Sequence, residues 1–151
     1  VTAMLEAYHR RRQPGVSAGL RELVWTPGGG PLVATVDPAR VEQILDQLVD
    51  NAVKFTPHGT RIELRARVAR DGERDWTVVE MADDGPGIRP DRVDSIFNAF
   101  EQVDGSSTRS VGGLGMGLAL ARQLAERMGG SLEAQSQLGR GSTFSLMLPR
   151  A

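Results

Sequence analysis

Residues 37–57 read Asp37-Pro38-Ala39-Arg40-Val41-Glu42-Gln43-Ile44-Leu45-Asp46-Gln47-Leu48-Val49-Asp50-Asn51-Ala52-Val53-Lys54-Phe55-Thr56-Pro57, and this run decides the fold class. Val41, Ile44, Leu45, Leu48, Ala52 and Val53 recur at helical spacing and make one apolar face. Asp37 supplies a capping carboxylate and Pro38 takes the first helical position, where a missing N–H costs nothing. Thr56-Pro57-His58-Gly59 breaks the pattern. A helix that is apolar on one side has to be laid on another layer of structure. Its polar side is equally regular: Gln43, Gln47, Asn51 and Lys54 are spaced by four, four and three and share one stripe. That is the pattern of an ordinary solvated face. It is also one that would offer the Asn51 amide oxygen to Mg2+, a hard ion that keeps several waters, and the Lys54 charge to a phosphate.

Outward from this helix the chain alternates strands and helices. Val1, Met4, Leu5 and Tyr8 recur at helical spacing until Arg10-Arg11-Arg12 and Gln13-Pro14-Gly15, which predicts the end of a helix over residues 1–15. Residues 16–25 read as a strand, Gly28-Gly29-Gly30-Pro31 as a loop and residues 32–36 as a second short strand. Beyond the long helix, Ile62, Leu64, Ala66 and Val68 alternate with Arg61, Glu63, Arg65 and Arg67; Asp71-Gly72 then turns the chain into residues 76–82, a hairpin. A short helix is expected over residues 90–97. Leu118, Ala121, Leu124, Ala125 and Met128 mark a helix closed by Gly129-Gly130, and residues 132–136 and 143–148 form a last hairpin about Gly139 and Gly141.

Composition narrows the function. With 151 residues, 40% hydrophobic and 25% charged, the chain suits one domain with a core and has no room for a second. A net charge of −1 gives no general attraction to nucleic acid or an anionic membrane, so any phosphate must be held by a local site. The absence of cysteine removes disulfides and thiolate metal sites. No apolar run nears the roughly 20 residues of a membrane span, and a cytoplasmic domain without membrane contact is expected. The chain opens on Val1, not methionine, which predicts a piece of a longer polypeptide.

Three stretches carry chemistry. Val111-Gly112-Gly113-Leu114-Gly115-Met116-Gly117 has four glycines in six positions and opens straight into a helix. It is neither a P-loop, since no Gly-Lys-Ser/Thr follows, nor a dinucleotide fingerprint, since the spacing and the preceding strand are missing. Its backbone suits close approach to an anion, and it suits a hinge as well. Asp83-Asp84-Gly85-Pro86-Gly87-Ile88 sets a carboxylate at a strand end, where it is either part of an acidic turn or an acceptor for an amine such as the exocyclic group of adenine. Phe97 and Phe100, three apart, read as core aromatics, with the anchoring of a loop over a ligand as the other reading.

Taken in order, residues 48–57, 83–88, Ile96-Phe97-Asn98-Ala99-Phe100-Glu101-Gln102 and residues 112–120 resemble the four boxes of the ATP-binding domains of sensor histidine kinases. The resemblance covers residues 16–149, including Gly139-Arg140-Gly141-Ser142-Thr143-Phe144 before Leu148-Pro149. It implies a Bergerat-type α/β two-layer sandwich: a mixed, mostly antiparallel sheet of about five strands, helices on one face, and a mobile ATP lid at about residues 101–116. Residues 1–15 would then be the end of a connecting helix from an upstream domain, and residues 16–151 the catalytic domain. By position, Asn51 resembles the magnesium-binding asparagine, Lys54 the phosphate-contacting lysine and Asp83 the adenine-binding aspartate. Gly85, Gly87 and Ile88 resemble the nucleotide-proximal turn. Gly113, Leu114, Gly115, Met116 and Gly117 resemble the phosphate end of the lid, with Phe100 in the third box and Arg109 as the lid's basic residue.

The implied cofactors are ATP and Mg2+, and the implied chemistry is phosphoryl transfer, in which the protein positions the nucleotide while a nucleophile attacks the γ-phosphorus in line. The implied partners are a histidine-containing dimerisation domain of the same polypeptide and a downstream response regulator receiver domain. The nucleophile itself is not expected in this chain: His9 is followed by three arginines instead of the acidic residue of a phosphoacceptor box, and His58 sits in a turn. The sequence departs from the family pattern where Gln47 replaces asparagine, Leu114 threonine and Met116 leucine. A glutamine cannot act as a general base, which argues against efficient self-contained hydrolysis. Two other classes share the fold, a serine kinase of the anti-sigma type and a degenerate module that uses ATP only as a conformational ligand.

Overall fold

A computed structural model describes residues 1–98 and 117–150. The predicted central helix is α2 (Pro38–Phe55), preceded by α1 (Thr2–Ala18) and β1 (Glu22–Thr26). The Asp37 carboxylate accepts the Ala39 N–H at 3.0 Å, with Pro38 next, so the cap read from sequence is in place. Val41, Ile44, Leu45, Leu48, Val49 and Ala52 are buried.

The long hairpin follows as β2 (Arg61–Asp71) and β3 (Arg74–Asp83), and the chain closes with α3 (Gly117–Arg127), β4 (Ser131–Gln137) and β5 (Gly141–Pro149). Together the strands form a five-stranded sheet in the order β1-β2-β3-β5-β4. β1 runs parallel to β2, and the other pairs are antiparallel. Alternation decides the faces: Ile62, Leu64 and Ala66 on β2, Val79 and Met81 on β3, and Phe144, Leu146 and Leu148 on β5 enter the core with the helices. On the other face Glu80 pairs with Arg65 at 3.2 Å and Arg67 at 3.1 Å. The expected mixed, mostly antiparallel sheet with helices on one face is the architecture found.

Four local expectations are corrected. α1 does not stop before Pro14 but continues to Ala18, because Leu5, Tyr8, Arg12 and Val16 form a single stripe with partners on its whole length. Leu5, Tyr8 and Val16 are buried in the core, while Arg12 pairs with Asp46 and lies 2.8 Å from Asp50, and Arg11 lies 3.0 Å from Glu42. Arg11 and Arg12, read as part of the helix end, are counterions to a carboxylate stripe on α2. The first strand is accordingly confined to Glu22–Thr26. Residues 32–36 form no strand; single bonds hold them, from Thr35 N–H to Pro149 O at 3.1 Å and from the Thr77 hydroxyl to Val33 O at 2.6 Å. In place of a helix over residues 90–97 there are turns and one 3-10 helical turn, Ser95–Phe97.

Tyr8 is fully buried and its hydroxyl donates to Asp46 at 2.8 Å; burial and that carboxylate raise its pKa. If α1 is part of the core, Tyr8→Ala costs about 3–5 kcal/mol in urea denaturation, as for other buried aromatics. A helix merely tethered to the domain would lose less than about 0.5 kcal/mol.

Candidate functional site

A cleft of about 190 Å³ lies where α2 ends, β3 and β5 meet and α3 begins. Asn51, Ala52, Phe55 and Thr56 form its α2 wall, and Asp83, Pro86, Gly87 and Ile88 the opposite side. Ile96, Leu118, Ser142 and Phe144 complete it. The helical spacing that buries Leu48 and Ala52 leaves Asn51 half-buried at the cleft and Lys54 on the exposed side, away from the lining.

Asp83 is the last residue of β3, paired in register with Ser142 at the start of β5. Its Oδ1 accepts the Gly85 N–H at 3.0 Å. Burial raises the pKa of this carboxyl, with the neighbouring Asp84 charge acting the same way; the N–H groups of Gly85 and Ser142 pull it down in part. Asp84 points elsewhere, its Oδ1 accepting the Arg61 N–H at 2.9 Å, which ties the start of β2 to the end of β3. The structure thus separates the two aspartates that the sequence presents side by side.

The turn after Asp83 is fixed from two sides. The Thr56 methyl lies 2.7 Å from where a Cβ on Gly85 would stand, and Arg21 holds Thr56 by donating to its carbonyl and hydroxyl oxygens. Gly87 has φ +78°, and a Cβ there would come within 2.3 Å of Gln137 O. From the same turn Ile88 N–H donates to the Ser136 hydroxyl at 2.6 Å, and Pro86 O accepts the Gly139 N–H at 2.8 Å. The β4–β5 hairpin is therefore the buttress of the cleft. Thr56, Ser142 and Phe144 escaped the reading as site residues: Thr56 reads as a helix stop and the other two as hairpin. The alternation of Ser142, Phe144, Leu146 and Leu148 on one face of β5 was the available signal.

Phe97 packs as a core aromatic, edge-on to Phe144 at 6.2 Å between centroids and beneath the Arg122 guanidinium at 4.6 Å. Gly117 is the first residue of α3, and a Cβ on it would stand 2.3 Å from Gln47 Oε1. Phe100, Arg109, Gly113, Leu114, Gly115 and Met116, with the expected lid, lie outside the described residues. Neither histidine approaches the cleft lining: His9 Nε2 is 2.8 Å from Leu23 O, a tie between α1 and β1, and His58 is exposed. Among the described residues no three His, Cys, Asp or Glu side chains gather as a metal site, and no helix is long and apolar enough to cross a membrane.

Comparison with known proteins gives a consistent picture. The family described as histidine kinase-, DNA gyrase B- and HSP90-like ATPase matches residues 36–151. The circadian input-output histidine kinase CikA of Synechococcus elongatus is 43% identical over 118 residues, which cover 78% of this chain and 15% of that protein. The sensor protein GacS of Pseudomonas syringae is 38% identical over 154 residues, covering 100% of this chain and 16% of that protein. The chain thus spans about a sixth of the length of such relatives. Among solved structures, full-length ShkA in complex with AMPPNP superposes with a TM-score of 0.79 at 33% identity, over 99% of this chain and 30% of that one. The catalytic domain of the histidine kinase ThkA shares the fold, with a TM-score of 0.76 at 20% identity over 99% of this chain and 93% of that one.

The raised pKa of Asp83 has a consequence for stability. The folded chain holds this proton more tightly than the unfolded chain does, so ionisation opposes folding. The penalty is absent below the unfolded value of about 3.9, grows from there to the raised folded value and is constant above it. Asp83→Asn keeps an acceptor for Gly85 and carries no charge. It is expected to be at least as stable as the wild type at pH 7, with the margin shrinking at pH 4, as measured by urea denaturation. A variant less stable at pH 7 would contradict the placement of this carboxylate.

Proposed function

The chain belongs to the family of histidine kinase-, DNA gyrase B- and HSP90-like ATPases and is an ATP-binding catalytic domain of the sensor histidine kinase type; from that premise we propose that its cleft binds Mg-ATP and presents the γ-phosphate to a histidine on a separate dimerisation domain of the longer polypeptide. The observation that carries this reading is the juxtaposition of Asp83 and Asn51 across one cleft. The cleft is smaller than the roughly 300–1,000 Å³ of pockets that enclose a whole drug-sized ligand, and so suits the base, with the phosphates lying beyond it.

In this reading Asp83 accepts a hydrogen bond from the adenine amino group. Partial desolvation of the carboxylate strengthens that bond, because the local dielectric is lower than that of water. Gly85 and Gly87 let the turn beside Asp83 pack tightly against Thr56 and Gln137, and Ile88 and Phe144 line the cleft with apolar surface for the base. The Asn51 amide oxygen, with phosphate oxygens of the nucleotide, would hold Mg2+ through the hard donors it prefers, and the bound ion would supply neutralisation of charge on the transferred group. Lys54, Arg109 and the glycines from Gly113 to Gly117, with Leu114 and Met116, are assigned to the phosphate side and Phe100 to the segment before it, all by position in the family pattern. The acceptor histidine lies in the dimerisation domain, and a receiver domain of a response regulator takes the phosphoryl group in turn. The absence of a general base at Gln47 suits transfer to such a nucleophile better than hydrolysis. A cytoplasmic place for the domain follows from its need for ATP.

Titration calorimetry with ADP and ATP tests the assignment. Asp83→Asn is expected to weaken binding by about 10- to 150-fold, the range for a hydrogen bond to a charged group. Asn51→Ala is expected to bind nucleotide with an affinity that no longer rises with Mg2+. Unchanged affinity in both variants would remove the site. In the longer polypeptide, transfer from ATP should give an acid-labile phosphohistidine that depends on Asn51, and an acid-stable phosphoserine would point to the serine kinase class instead.

A further inference from the structure

Gln47 precedes Asn51 by one turn on the polar stripe of α2, yet it is absent from the cleft lining. Its side chain reaches across to α3. A Cβ on Gly117 would stand 2.3 Å from Gln47 Oε1 and 3.2 Å from its Cδ, so the carboxamide occupies the space that any side chain at residue 117 would need. The next residue, Leu118, lines the cleft with Asn51. Farther along, Ala121 and Ala125 are fully buried, small residues that allow α3 to approach closely without fixing the position of its first turn. The amide of Gln47 is a polar group of the α2 stripe that meets the start of α3.

We propose that Gln47 is a positioning residue: its carboxamide, seated on Gly117, sets the start of α3 relative to Asn51 and thereby the phosphate end of the nucleotide site. The inference rests on the nucleotide reading above and assigns Gln47 no metal. Reach is the physical reason. A glutamine extends one methylene beyond an asparagine, far enough to touch the next helix. The N–H groups of the first turn of α3, which have no partner within the helix, go where that contact places them.

The test uses Gln47→Ala, Gly117→Ala and the double variant. Alanine is the better helix former, so Gly117→Ala does not endanger folding; its methyl displaces the flexible end of Gln47. In nucleotide-free protein, the side-chain amide signal of Gln47 in a ¹⁵N spectrum should move on Gly117→Ala; a signal that stays put overturns the contact. In titration calorimetry, each single variant should lower the affinity for Mg-AMPPNP relative to that for adenosine by about tenfold, and the double variant by the same factor, since both changes break one contact. Losses that multiply to about a hundredfold, a parallel loss for adenosine, or no loss would each overturn the positioning role. A wild-type chain that binds neither ligand overturns the nucleotide reading and the role built on it, while the amide signal still reports on the contact itself.

Discussion

Everything in this molecule is referred to the burial of one face of α2 on the sheet. Ile44, Leu45, Leu48 and Val49 are at most 1% exposed, and each such side chain contributes roughly 1.5–3 kcal/mol on leaving water. No single polar contact of the site is strong enough to rotate the helix against that sum. Once the apolar face is down, helical periodicity leaves two polar stripes with no freedom of direction. One, Gln47 and Asn51, runs between the cleft and α3. The other, Glu42, Asp46 and Asp50, meets Arg11 and Arg12 of α1. The same burial that stabilises the domain therefore aims its amides and places its counterions.

The second constraint is a local cost. Asp83 sits at the end of a ladder, half-buried, with its pKa raised by desolvation and only partly relieved by two N–H groups. A folding-optimised sequence would not keep a carboxylate there, and the surrounding structure is arranged to hold it. Arg21 fixes Thr56, whose methyl presses on the turn from one side. Ser136 and Gly139 of the β4–β5 hairpin fix it from the other. The hydrogen bond proposed for this half-buried carboxylate depends on that support, because an acceptor free to turn to water would lose the advantage of partial desolvation.

The fold is shared with the ThkA catalytic domain at only 20% identity. Such a likeness needs a common burial pattern and not common residues. Alternation on β2, β3 and β5 and the apolar face of α2 suffice for the layers. Individual side chains remain free to differ within such a pattern.

The sequence by itself determined the elements with a clean period: α2 with its Asp37 cap, the hairpin turning at Asp71-Gly72, α3 closing at Gly129-Gly130 and the last hairpin. It also put Asn51 and Asp83 forward, since both lie in short patterns whose spacing is visible along the chain. Tertiary structure alone decided that α1 continues past Pro14, that residues 32–36 stay out of the sheet, and that Asp83 faces the cleft while Asp84 ties β2 to β3. It also brought Thr56, Ser142 and Phe144 to the site and Gln47 to Gly117. The reason is the same in each case. A periodic pattern reports which side of its own element a residue occupies, whereas the partner that satisfies a charge, fills a gap or closes a cleft comes from a segment distant in sequence.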